Sequence, residues 1–222
     1  CIASTIAVEL DCPGHVSRNV ALGGERHTIF RVGEPHGRIT PRIEEIADML
    51  KVCDSSKTTT NLWGERWSKL CVNAMRNPVA AATARSGNEN DRDPMTRQLS
   101  IQLAGEACRV GIAHGYDLEN IYKMPPEQLI AARDGDIAAM EACEAVIVEN
   151  ASFRNDDQRP SMGQDMLKGR RTEIDFISGL VVEKATELGL DVPCNAGILE
   201  AVRKVERGDI PASADAVAHI KP

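Results

Sequence analysis

The sequence predicts a mostly α-helical chain, in which a helical bundle is preceded by a short β-meander and one helix. Three observations carry this. Ile6, Val8 and Leu10 alternate near the start, the period of a half-buried strand. From Asn61 onward apolar residues recur instead at the spacing of one helix face. Aromatics make up only 3% of the 222 residues, so aliphatic side chains and alanine must fill the core, and 42% hydrophobic against 27% charged residues leaves enough of them to do so.

Residues 4–10 read as the first strand, and Pro13-Gly14 as the turn after it. Val16, Val20 and Leu22 belong to a second strand, Gly23-Gly24 mark another turn, and His27 to Val32 reads as a third. Three such strands form an antiparallel meander, too little for a domain, and so the edge of a larger sheet. Thr40-Pro41 is a helix entry, with an N-cap hydroxyl and proline at the first position, and Ile43, Ile46, Ala47 and Leu50 give that helix one apolar face. A polar segment around Lys57 to Thr60 then leads to a boundary near Asn61, giving domains over 1–60 and 61–210 and a loose tail over 211–222.

The helix expected over Asn61 to Ala82 is the centre of the chain. Lys69, Asn73 and Asn77 recur every four residues and form one polar stripe beside an apolar face of Trp63, Trp67, Leu70, Ala74 and Ala81. Such a stripe is either the solvated face of an amphipathic helix or the wall of a cleft. Asparagine is a mediocre helix former, and Pro78 frees the carbonyl of Ala74 and predicts a kink or an end there. Further helices follow: Leu99, Leu103, Ala107 and Val110 up to a Gly115 stop; Ile137, Met140, Ile147 and Ala151; Ile174, Ile177, Val181 and Leu188 up to Gly189; and Ile198, Val202 and Val205 up to Gly208. Each is apolar on one side, which predicts a bundle.

A net charge of −7 and a pI near 5.3 argue against a nucleic-acid surface but allow a small anion held by a few local cations. The seven cysteines are scattered and never spaced as C-x-x-C, and the five histidines form no cluster, which points to reduced thiols in the cytoplasm and to no structural metal. No apolar run suggests a membrane span.

A second polar constellation lies in residues 159–175. Ser161 and Gln164 have the spacing of a capping box, and Thr172 with Asp175 repeats it. Ser161 is therefore either a plain N-cap or, with neighbouring amides, a place for a substrate carboxylate. Glu173 suits the first turn of a helix on dipole grounds alone, and Arg170 and Arg171 read as solvated.

Taken together, K-L-x-x-N-x-x-x-N-P (Lys69, Leu70, Asn73, Asn77, Pro78) and, about 85 residues later, S-M-x-Q-D and G-R-x-T-E-I-D resemble the ketopantoate reductase family over nearly the whole chain. The resemblance implies an NADP-binding Rossmann-type domain, of which residues 1–60 would be the C-terminal portion, followed by an all-helical substrate domain. It implies NADPH-dependent reduction of 2-dehydropantoate to pantoate in the route to pantothenate and coenzyme A. By the same resemblance Lys69 is the general acid. Asn73, Asn77 and Ser161 bind substrate, and Glu173 contacts substrate or cofactor at the catalytic cleft. A small 2-oxo acid would be the partner, with a homodimer allowed. The alternatives are reduction of another 2-oxo acid on the same fold, or a non-catalytic helical module for dimerisation or binding. The fingerprint G-x-G-x-x-G is not in these residues, so this chain alone is expected to bind NADPH poorly and to be inactive.

Overall fold

The computed structural model describes residues 2–4, 8–18, 28–152 and 156–221. The chain divides into two compact units, Cys1–Lys69 and Leu70–Pro222.

In the first unit, β1 (Ile2–Ser4), β2 (Val8–Cys12), β3 (His15–Arg18) and β4 (Phe30–Val32) are followed by α1 (Pro41–Leu50) and β5 (Ser56–Thr58). Of the strand expected over 4–10, Ser4 ends β1 and residues 8–10 belong to β2, which pair in different sheets; Ile6 lies outside the described residues. β2 and β3 form an antiparallel hairpin whose turn contains Gly14 at φ +81°, where glycine is favoured for want of a Cβ. Val20, Leu22, Gly23, Gly24 and His27 fall outside the described residues.

The simple meander is corrected by the other sheet, ordered β1-β4-β5. β1 pairs antiparallel with β4, but β4 pairs parallel with β5, and parallel neighbours require a crossover, which α1 provides. The polar segment read around Lys57 to Thr60 overlaps β5; three residues with no apolar alternation give no strand signal, and only pairing with β4 makes Ser56–Thr58 a strand. Val32, Ile43 and Ala47 form a buried cluster with Ile46 and Leu50 packed on it. Pro41 does begin α1, but Thr40 makes no cap bond. Its hydroxyl donates to Glu34 Oε1 at 2.8 Å instead.

The long helix α2 (Leu62–Thr83) runs through Pro78 without ending there. It stops at Ala84, whose φ of +57° is left-handed. The second unit continues with α3 (Gly87–Arg92), α4 (Pro94–Ala113), α5 (Pro126–Arg133), α6 (Ile137–Ala151), α7 (Ser161–Leu167), α8 (Ser178–Glu187) and α9 (Pro193–Glu206). α4 is not apolar on one side only: Leu99, Ile101, Leu103, Ala104, Ala107, Cys108 and Val110 are all buried, so it is the central rod around which α5, α6, α8 and α9 pack. Gly105 lets α5 approach, since a Cβ there would lie 2.5 Å from the Leu129 carbonyl oxygen. In α6 the buried face is Cys143, Ile147 and Ala151, while Ile137 is exposed.

The helix expected from Ile174 to Leu188 is two pieces, a 3-10 turn over Ile174–Phe176 and then α8, broken at Ile177 with ψ −87°. Residues 211–221 are not a loose tail. Ser213 N–H donates to the Ala82 carbonyl at 2.9 Å, Val217 is fully buried, and Ile220 lies close enough to Gly197 that a Cβ there would meet its Cγ2 at 3.1 Å. No helix among the described residues is long and apolar enough to cross a membrane.

Candidate active site

Lys69, Asn73 and Asn77 all lie on α2, and their four-residue spacing puts them on one stripe. Lys69 closes the first unit and the two asparagines belong to the second. Partial burial pushes the Lys69 ammonium below its ordinary pKa, which favours proton release. Trp63, expected on the apolar margin, is exposed instead and donates its indole N–H to the Pro35 carbonyl at 3.0 Å.

Asn73 and Asn77 line a cavity of about 190 Å³ together with Arg76, Gly87, Gln158 and Arg159. Local bonds build its far wall. Gly87 N–H donates to the Gln158 carbonyl at 3.0 Å, and Arg159 Nη1 donates to the Ala84 carbonyl at 2.6 Å. Gly163 lets α7 settle against α2, since a Cβ there would stand 3.2 Å from the Ala80 Cβ. Ser86, in turn, anchors α3 with a full capping box: its hydroxyl accepts from Glu89 N–H and its own N–H donates to Glu89 Oε2.

Asn77 is the telling residue. It is 7% exposed, and its amide has no hydrogen-bond partner among the described residues. Its amide atoms are not sealed from solvent, so on the cavity wall they are as available to a ligand as they are to water.

The second constellation differs from its expected form. Ser161 is the first residue of α7, not its cap; Pro160 holds the cap position and no side-chain cap bond forms. A residue inside the helix cannot also accept from the first-turn amides as a cap does. The Ser161 hydroxyl donates to Glu173 Oε1 at 3.3 Å, so these two expected site residues do come together. Gln164 donates to the Arg159 carbonyl at 3.1 Å. Thr172 and Asp175 form no capping box either. Thr172 N–H donates to Glu206 Oε1 at 2.6 Å, and Asp175 accepts from Arg203 Nη2 at 2.6 Å, which ties the Glu173 segment to α9.

Arg76, Gln158 and Arg159 were missed by sequence reasoning. Arg76 stands one residue before Asn77 and Arg159 two before Ser161, so proximity to the motifs was the available signal. Cysteine chemistry has no place here: burial raises the Cys143 thiol to about 11 and the Cys194 thiol to about 12, well away from a reactive thiolate. Among the described residues no group of three or more His, Cys, Asp or Glu is arranged to hold a metal ion.

Residues 61–206 match the family described as ketopantoate reductase PanE/ApbA C terminal. A 2-dehydropantoate 2-reductase of Archaeoglobus fulgidus is 30% identical over 206 residues, which are 92% of this chain and 60% of that protein. The corresponding Pyrococcus horikoshii enzyme is 27% identical over 72% of this chain and 46% of its own length. The chain thus spans between about half and three-fifths of these relatives. Among solved structures, a PanE/ApbA family ketopantoate reductase from Ralstonia eutropha JMP134 shares the fold at a TM-score of 0.68 with 22% identity, over 93% of this chain and 59% of that one. D-mandelate dehydrogenase in complex with NADH shares it at 0.70 with 20% identity, over 93% and 62%. With a family match over residues 61–206 and a relative 30% identical over 92% of this chain, the chain belongs to the ketopantoate reductase family.

Proposed function

We propose that this chain supplies the substrate-holding and proton-donating part of an NADPH-dependent reductase that converts 2-dehydropantoate to pantoate in the route to pantothenate and coenzyme A. The observation that carries the reading is the open Asn77 amide on a cavity wall, on the same helix as a lysine whose pKa is lowered by burial. Residues 1–60 act in it as the end of a Rossmann-type cofactor domain and 61–210 as the helical substrate domain. The setting is the cytoplasm, and the protein works as a homodimer; the Staphylococcus aureus ketopantoate reductase that shares the fold is dimeric.

The residues described here do not themselves form a dinucleotide cradle. At the β4-to-α1 connection, where a phosphate could meet a helix start, the Glu34 carboxylate already accepts from Thr40 and Arg42. NADPH supplies the hydride when bound, and no residue of this chain is assigned to its phosphates. What this chain does is handle the acid. Lys69 places an ammonium at the ketone oxygen, where it offsets developing negative charge and gives up a proton as the alcohol forms. Asn73 and Asn77 orient the substrate without titrating. Ser161 holds the substrate end, with its hydroxyl oriented by Glu173.

Lys69→Ala in the full-length protein tests this. NADPH oxidation driven by 2-dehydropantoate should fall by about 10²–10⁴-fold, the usual worth of a general acid, with NADPH affinity unchanged. Near-normal turnover would remove Lys69 from the mechanism. A second reading, reduction of another 2-oxo acid, draws on the D-mandelate dehydrogenase likeness, which shows that the fold alone does not select the substrate. A panel of 2-oxo acids separates the two. The non-catalytic module is left as the outcome if no acid is reduced.

A further inference from the structure

Behind the wall of the cavity lined by Asn73, Arg76 and Asn77 lies a strained turn that the proposed function leaves unused. Tyr122 and Lys123, in the connection between α4 and α5, have φ of +53° and +72°. Residues other than glycine and asparagine adopt that region only at a cost, and here two do so in succession. Ile121 N–H donates to the Met124 carbonyl at 2.8 Å, and Met124 N–H donates to the Ile121 carbonyl at 2.9 Å. Both flanking residues are fully buried, which anchors the turn in the core. Lys123 Nζ donates to Asn150 Oδ1 on α6 at 2.6 Å. Strain that the surroundings hold in place points to something gained nearby.

What this turn delivers is a ring. Arg76 Cζ lies over Tyr122, 5.1 Å from the ring centroid and within cation–π range. The same guanidinium is also held by α3. Its Nη1 and Nη2 donate to the two Asp91 oxygens at 2.8 and 3.0 Å, and Nη2 donates to the Gly87 carbonyl at 3.4 Å. The Asp91 side chain is 2% exposed and that of Arg76 11%, so this is a shielded pair whose charges offset each other. Nε–H has no acceptor among the described residues and is not sealed from solvent. On the cavity wall it is a donor open to water or to a ligand.

We infer that Tyr122 is a positioning residue for acid binding: its ring and the Asp91 carboxylate together clamp Arg76, so that Nε–H stands at one fixed place on the cavity wall. A bidentate pair fixes the edge of the guanidinium fork, and a ring under its plane blocks the swing about that edge. An acid entering the cavity then meets a donor that needs no ordering on binding, which lowers the cost of association. The identity of the acid rests on the proposed function; the clamp on Arg76 does not.

Steady-state kinetics of the full-length protein with 2-dehydropantoate and NADPH test this in Tyr122→Asn and Tyr122→Phe. Asparagine suits a left-handed turn position, so Tyr122→Asn removes the ring and keeps the turn. It should raise KM for 2-dehydropantoate about three- to tenfold, the worth of one cation–π contact, with kcat and the KM for NADPH within about twofold. Tyr122→Phe keeps the ring and should leave all three within about twofold. In an Arg76→Gln background Tyr122→Asn should change KM less than about twofold, because the group it acts through is gone. An unchanged KM in Tyr122→Asn overturns the inference. So does a Tyr122→Phe protein as impaired as Tyr122→Asn, or a full effect of Tyr122→Asn in the Arg76→Gln background. A fall in kcat with KM unmoved, matched by loss of folded protein, also overturns it by making the turn purely structural. Each of these results leaves the proposed function standing. An unaltered protein that reduces no 2-oxo acid overturns the proposed function and this role together.

Discussion

Two buried polar side chains in the second unit stand in opposite conditions. Glu106, in the middle of α4, is fully buried and fully used: Oε1 accepts from Cys194 N–H at 2.9 Å, and Oε2 accepts from Asn195 N–H at 2.8 Å and from the Asn195 amide at 2.9 Å. It thereby supplies, from another helix, the cap that α9 lacks in its own sequence, where Val192 holds the cap position. Asn77 is 7% exposed, its amide atoms still reach solvent, and it has no such partner among the described residues. The difference teaches that burial of a polar group alone does not mark function. A satisfied group holds the fold together, whereas an amide that reaches a cavity without a protein partner stays available to water or to a ligand.

The comparison can be broken most sharply at Glu106. Glu106→Ala leaves two helix-start N–H groups buried without an acceptor and should cost about 2–5 kcal/mol, read as a lower midpoint in urea unfolding. A loss no larger than that of a surface substitution would mean water replaces the carboxylate freely.

A smaller effect comes from its titration. Burial raises the Glu106 carboxyl above its ordinary value of 4.5, against the opposing pull of its hydrogen-bond donors. Because the protonated form is the one favoured on folding, this contribution is complete below pH 4.5 and is lost as pH rises through the raised folded value. Stability of the natural protein relative to Glu106→Gln should therefore fall over that window and then level off. A difference that grows with pH would show the donors outweighing burial.

The smallest effect on stability belongs to Asn77→Ala, which removes no side-chain hydrogen bond among the described residues and improves helix propensity. Thermal unfolding should place it within about 0.5 kcal/mol of the natural protein. Acid binding should nevertheless weaken about tenfold. A large loss of stability would instead give Asn77 the structural role that Glu106 has.

Much of the helical unit was legible because its signals are local. Pro41 opening α1, the Gly115 stop of α4 and the stripe on α2 each need only neighbouring residues. β5 was not legible, since Ser56–Thr58 becomes a strand only through its partner. The capping box of α3 was present in the letters S-G-N-E and went unread, whereas that at Ser161 was read and does not form because Pro160 takes the cap. Asn73 and Asn77 could be picked out by their spacing. Arg159 could not, because what distinguishes it from Arg76 is that the fold brings Asp91 against Arg76, while among the described residues no carboxylate forms an ion pair with Arg159.

The bond between Ser213 and Ala82 also has a temporal side. The last turn of α2 is near the beginning of the second unit, and the residues that satisfy it are made more than a hundred positions later. A contact of such separation cannot form until residue 213 has been made and has emerged, and closing the intervening loop is slow. The end of α2 therefore gains this support only after residue 213 has left the ribosome.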